Sequence, residues 1–165
     1  MPSDAAARTP LEDTLDALLV QEEVSLERFG HDEAWAMGVW LHDRLVREGI
    51  VGAVAVYLGE QRAFVGSVAG SSADLDQWLD RKARTVRLWA HSSLWVKTRF
   101  SANDPGFPAR LLQDPRGLAA AGGGFPIRIR GAIVGVVCCS GWTEEGEHEL
   151  AAEAVRTLAE RQSAD

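Results

Sequence analysis

Apolar positions along the chain alternate between helical and strand periods, and the order of these stretches outlines the fold. Leu11, Leu15, Leu18 and Leu19 form one helical stripe. It is preceded by Thr9-Pro10-Leu11-Glu12, which combines a threonine cap, a proline at the first helical position and a glutamate to close a capping box. Val24 to Phe29 alternates apolar and polar residues and predicts a short strand. A second helix, capped by Asp32, runs to about Glu48 with Gly49 as terminator, its predicted buried face being Trp35, Gly38, Val39, His42, Leu45 and Val46. Ile50 to Leu58 is an almost unbroken β-branched run, the pattern of a strand covered on both faces. Gly59-Glu60 turns it into a partner strand at about Arg62 to Val68.

Ser71 or Ser72 is placed to cap a third helix, reaching about His91 or beyond, with the stripe Leu75, Trp78, Leu79, Lys82, Val86 and Trp89. Residues 101–121, with Pro105, Pro108 and Pro115, read as a long irregular connection containing short helical turns. Gly122-Gly123-Gly124 then opens a hairpin of Phe125 to Arg130, a turn at Gly131, and Ala132 to Ser140. Thr143 starts the last helix; Glu144 and Glu145 suit its dipole, and Leu150, Ala151, Ala154, Val155 and Leu158 form its core face. The order predicts an α+β fold: one domain over 9–163, after a disordered tail at residues 1–8, with an antiparallel sheet of about five strands flanked by helices.

Composition narrows the function classes. The chain has 165 residues, 46% apolar and 25% charged, enough for one domain with a real core. No apolar run approaches the roughly 20 residues of a membrane span. The start, with Asp4, Arg8, Glu12 and Asp13, lacks the apolar centre of a secretory signal, so a cytoplasmic address is expected. A net charge of −7 argues against nucleic acid as a partner. The basic cluster Arg81, Lys82, Arg84 and Arg87 is interleaved with Asp74, Asp76 and Asp80, as on a solvated helix face. Cys138 and Cys139 are adjacent, so on a strand they point to opposite faces, one into the core and one outward; no metal-ligand spacing occurs.

Lys82 draws attention because it sits on the apolar stripe, four residues from both Trp78 and Val86. Either its stem packs beside Trp78 while the ammonium meets a carboxylate, or Lys82 and Arg81 together grip an anionic ligand. His91 is a helix end or a general base. His148, beside several glutamates, belongs to a surface or interface; His42 reads as a hydrogen-bonded core histidine. The glycine triplet precedes a strand rather than a helix, so a tight bend or subunit contact explains it better than a phosphate loop. No nucleophile elbow or paired-carboxylate motif stands out. Trp40 and Trp95 fit the helical stripes less well than Trp35, Trp78 and Trp89 and are candidate interface anchors.

Gly-Gly-Gly-Phe-Pro-Ile at 122–127, the Gly135 to Gly141 strand ending in Ser-Gly, and Glu147-His148 together resemble the haem-degrading-domain family of GlcG-like and HbpS-like proteins. Trp78-x-x-Arg81-Lys82-x-Arg84-x-Val86 followed by His91-Ser92-Ser93 is similar to its single-domain branch, a branch without an established activity. Glu147 stands where an aspartate is expected, and Arg84 where an asparagine is common nearby. The resemblance implies a profilin-like domain that assembles into homo-oligomers. It also implies a small anionic ligand, haem or a related planar molecule, near Arg81, Lys82, His91, Gly122, Gly123, Gly124 and Phe125, with His91 or His148 as an axial haem ligand. A protein-association scaffold without a ligand, and weak haem degradation, are the alternatives.

Overall fold

The computed structural model describes residues 7–113 and 117–164, so most of the expected N-terminal tail lies outside the described residues. Among these residues six helices and four strands follow in the order α1 (Pro10–Gln21), α2 (His31–Glu48), β1 (Ala53–Leu58), β2 (Gln61–Ser67), α3 (Asp74–Trp89), α4 (Ser93–Ser101), α5 (Phe107–Leu112), β3 (Gly124–Ile129), β4 (Ala132–Ser140) and α6 (Glu144–Ala164). The sheet order is β2-β1-β4-β3 with every pair antiparallel, so the two most apolar strands lie at its centre. This is an α+β fold.

The sheet has four strands rather than about five. Val24 to Phe29 contributes a single parallel bridge, Ser25 to Arg128. Its backbone groups are met elsewhere: the Gln162 side chain accepts from Glu27 N–H at 2.9 Å and donates to the Arg28 carbonyl at 2.9 Å. A side chain from the last helix thus replaces the ladder that would have made a strand.

Helices cover both faces of the sheet. On one face α2 and α6 bury Met37, Leu41, Leu45, Leu150 and Val155 against Val54, Val56, Ile127, Val137 and Cys139. On the other, α3 packs Leu79, Ala83 and Val86 onto Ala53, Ala55, Tyr57, Val136 and Cys138. Cys138 and Cys139 do point to opposite faces, but neither is outward, because each face carries a helical layer. Burial pushes the Cys138 thiol up to about 12 and moves Cys139 the same way, so both are inert packing groups.

Thr9 caps α1 with the full capping box, its hydroxyl accepting from Glu12 N–H and the Glu12 carboxylate accepting from Thr9 N–H at 2.8 Å. The cap of α2 is Gly30, not Asp32, and its N–H is taken by the Glu33 carboxylate. α2 buries Gly38 and Leu45 as predicted, but the rest of its buried face is rotated from the predicted one. Ala34, Met37, Gly38, Leu41 and Leu45 are buried, whereas Trp35 is 62% exposed, Val46 59% and Val39 38%. The Phe64 ring of β2 occupies the space where a side chain at position 38 would stand, 2.1 Å from a Cβ there, so close approach at Gly38 turns the helix onto its small-residue side. His42 is half-buried, with Nε2 3.4 Å from the Ser67 carbonyl.

α3 starts at Asp74 with no side-chain cap and stops at Ala90, which adopts the left-handed conformation; the chain does not continue as one helix through His91. Ser92 caps the separate helix α4 by accepting from Trp95 N–H at 3.2 Å. Distant groups hold the break. Arg128 donates to the Ala90 carbonyl at 2.5 Å, and Glu22 accepts from Ser92 N–H at 2.7 Å.

Candidate functional site

Glu144 and Glu147 lie in the first turn of α6, just after the Gly141-Trp142 bend that leaves β4. Glu147 is 5% exposed; its Oε1 accepts from Gly141 N–H and Trp142 N–H, both at 2.7 Å. Its Oε2 accepts from Lys82 Nζ at 2.5 Å, and the same ammonium donates to the Cys139 carbonyl at 2.9 Å. Lys82 has 3% of its side chain exposed, so the pair is closed off from water on most sides. Of the two readings of Lys82, the carboxylate partner is the one found. A buried ammonium is tolerable only when paired and hydrogen-bonded in this way.

The glycine triplet is built around this pair. Gly122 N–H is accepted by Glu144 at 3.0 Å, Gly123 C=O accepts from Cys139 N–H at 2.9 Å, and Gly124 N–H is accepted by Ser93 Oγ at 2.8 Å. Gly123 has φ +116, and a Cβ there would lie 2.4 Å from the Cys139 carbonyl and 2.9 Å from Lys82 Nζ. Only glycine fits. With its polar groups turned inward, the segment is a tight bend joining β3, α4 and α6.

Above the pair opens a cleft of about 420 Å³ between α3, α5, the end of β4 and the start of α6. Leu75, Trp78, Pro108 and Trp142 form its apolar walls, and Lys82, Lys97, Glu144 and Glu147 supply its charges. Lys97 pairs with Glu144, so each lysine of the cleft faces a glutamate of α6.

A second buried carboxylate stands elsewhere. Glu22, at the C-terminal end of α1, is 4% exposed. It takes Ser92 N–H at 2.7 Å, His91 Nδ1 at 2.9 Å and Arg128 at 3.4 Å. The His91 ring stacks on Trp95 with centroids 4.1 Å apart. Glu22, His91, Arg128, Leu19, Ser25, Glu23 and Gly131 line a shallow depression of about 380 Å³.

The residues singled out in the sequence therefore do not form one constellation. Lys82, which lines the cleft, packs against Gly123 and Gly124 of the bend, while His91 lies on the second depression. Arg81 places its guanidinium over the Trp78 ring at 5.8 Å and is not among the lining side chains of either. Phe125 packs on the opposite side of the sheet, against His148 at 5.6 Å. His148 is 1% exposed, neither surface nor glutamate-paired: Nε2 meets Gln21 Oε1 at 2.6 Å, and Nδ1 has no partner among the described residues. Burial lowers its pKa. Trp95 lies beneath His91, and Trp40 is half-buried with Arg44 over its ring.

Glu22, Lys97, Glu144 and Arg128 carry these arrangements without a local sequence signal. Glu22 reads as one of two surface acids at a helix end. Lys97 lies in a stretch whose helix was not separated from α3. Among the described residues no helix is long and apolar enough to cross a membrane.

An α+β domain with a glycine bend locked onto a buried lysine–glutamate pair is the class that fold and site define. Residues 29–156 match the family described as haem degrading protein HbpS-like, and the chain belongs to that family. A UPF0303 protein of Streptomyces avermitilis is 37% identical over 158 residues, covering 94% of this chain and 95% of that protein. The crystal structure of Ybr137w superposes with a TM-score of 0.80 at 22% identity, covering 92% of this chain and 90% of that one. That of a PduOC–haem complex gives 0.66 at 13% identity, over 78% and 93%. At these identities the likeness to solved structures concerns the fold.

Proposed function

We propose that this protein is a homo-oligomeric, single-domain small-ligand binder for a planar anionic molecule of the haem class, with His91 as the iron's axial donor. The family and the haem complex of a structural neighbour support the ligand class. The observation that carries the site is His91 held through Nδ1 by buried Glu22 at 2.9 Å. A carboxylate on one ring nitrogen fixes the tautomer and leaves Nε2 as the electron-pair donor, the arrangement typical of metal-bound histidines. The ring is 31% exposed, stacked on Trp95, and flanked by the Arg128 guanidinium, a partner for a propionate.

The Lys82 cleft suits iron less well. Among the described residues its lining includes no histidine, cysteine, methionine or tyrosine. When bound, haem would supply a ligand-binding or redox-active iron; the chain's own contribution is to orient His91 and neutralise the propionates.

Self-association is assigned to the outer stripe of α2, where Trp35, Val39 and Val46 lie exposed on one side of the helix, one and two turns apart. Apolar groups at this spacing are a seam for a second helix. Haem titration with native mass spectrometry tests both parts. The expected result is an oligomer with one haem per subunit, a Soret band lost in His91→Ala, and dissociation in Trp35→Ser/Val39→Ser. A clean apo-oligomer whose residual haem absorbance ignores His91→Ala overturns the ligand reading and leaves a protein-association scaffold. A monomeric wild type overturns the assembly.

A further inference from the structure

The chain contains fifteen arginines and two lysines, Lys82 and Lys97, and both lysines line the same cleft. Everywhere else on the described chain an arginine does the work of a cation: Arg44 with Glu48 and Glu153, Arg62 with Asp80, Arg128 with Glu22. A guanidinium makes more hydrogen bonds than an ammonium and holds carboxylates in a planar fork. What an amine can do, and a guanidinium cannot, is lose its proton near neutrality and attack an electrophilic carbon. A buried ion pair also adds little stability over an apolar pair of the same volume. Keeping amines only at this cleft, in a chain that otherwise uses arginine, points to amine chemistry.

The geometry around Lys82 supplies what such chemistry requires. Glu147 Oε2 stands 2.5 Å from Nζ and, among the described residues, is the only carboxylate bonded to it, placed to accept the ammonium proton. Glu147 Oε1 is fixed by the N–H groups of Gly141 and Trp142, so the acceptor does not swing away. The same cleft is lined by this pair and by Trp78 and Trp142, the latter 50% exposed. These flat walls favour a flat apolar body.

We infer that the cleft is a capture site for a small aldehyde or ketone with a flat apolar body, bound covalently as an imine of Lys82. Lys82 passes its surplus proton to Glu147 and its amine adds to the carbonyl carbon. The nitrogen's proton moves to the former carbonyl oxygen, giving a carbinolamine. Its C–O bond then breaks as Glu147 returns the proton to the departing hydroxyl, so that one water leaves and an iminium remains on Lys82. No electrons change hands, and hydrolysis reverses each step. Lys97, 35% exposed and paired with Glu144, stands in the same cleft as a second cation for a polar group on the ligand. This site is separate from the His91 depression and does not rest on haem binding.

The test uses the full folded chain with benzaldehyde as probe and cyanoborohydride to trap the imine, followed by peptide mass mapping. Lys82 is expected to be benzylated at roughly tenfold the rate of the same lysine in urea-unfolded protein, as for a desolvated amine with a proton acceptor beside it. Glu147→Gln should slow trapping at Lys82 about as much, by removing the proton acceptor. Benzylation confined to Lys97 and the amino terminus, or no faster at Lys82 than in urea, overturns the inference. Because wild-type mapping decides the matter, it stands even where the Glu147 variant unfolds. Haem titration of the benzylated protein separates the two sites: an unchanged Soret response is expected whatever becomes of the haem reading, and a response abolished by benzylation would merge the sites and overturn their independence.

Discussion

Glu147 and Glu22 are both buried, and the fold treats them differently. Glu147 is enclosed by two backbone N–H groups and an ammonium that is itself only 3% exposed. Glu22 takes one backbone N–H, while its other two partners, His91 and Arg128, reach the surface with 31% and 17% of their side chains exposed. The same group thus serves two ends. A carboxylate held by two backbone N–H groups and a buried ammonium locks a chain bend; one whose side-chain partners reach the surface orients a side chain that meets the solvent. The first pair is the more costly to disturb, because removing either member strands a charge with little access to water.

The comparison can be broken in order of expected effect. Lys82→Met should cost about 3–5 kcal/mol by urea unfolding, because Glu147 keeps its charge and loses its counterion. Adding Glu147→Leu should recover most of that loss; a double variant as unstable as the single one would show that the pair does more than neutralise itself. Gly123→Ala comes next, at about 2 kcal/mol or more, since the positive φ and the collision with the Cys139 carbonyl act together. Glu22→Gln should cost only about 1–2 kcal/mol in the same assay, because glutamine still accepts from Ser92 N–H while His91 and Arg128 turn to water. A loss as large as that of Lys82→Met would erase the distinction between the two glutamates.

The smallest effect is a pH dependence at His148, which belongs to neither pair. Burial lowers its pKa, so the folded protein holds it neutral while the unfolded chain takes up a proton near the ordinary value of about 6.5. The unfolded state then binds more protons below that pH, and stability falls as the solution is acidified from there towards the lowered folded value. His148→Gln should flatten the curve in that window. Wild type and variant with parallel curves between neutral and mildly acidic pH would show that the imidazole is not desolvated in solution.

Legibility followed the range of the interactions. The α1 capping box, the strands on either side of Gly59 and Gly131, and the core face of α6 are encoded by residues within a few positions of one another, and they stand where the pattern puts them. The face of α2 is only partly legible because two apolar stripes run side by side on it. Trp35, Val39 and Val46 offer one apolar stripe, but Gly38 lets the helix approach Phe64 along the other, with Met37, Leu41 and Leu45. The break after α3 carried a local signal in Ser92-Ser93, yet the groups that enforce it, Glu22 and Arg128, are distant in sequence. Val24 to Phe29 has the alternation of a strand and lacks the ladder, because Gln162 of α6 satisfies its backbone.

By itself the sequence determined the α+β order of elements, the antiparallel hairpins and a lysine on an apolar stripe. Each follows from hydrophobic period, turn chemistry or a single out-of-pattern charge. Only the tertiary structure decided which carboxylate meets Lys82, that Lys97 joins it at one cleft, and that His91 stands apart with Glu22 behind it. The lysine–glutamate contacts cross 65 and 47 residues and the histidine contact 69. No local pattern selects among 24 acidic residues for such partners. The choice is made by burial, which leaves a charge stable only where the packed elements bring its counterion within hydrogen-bonding distance.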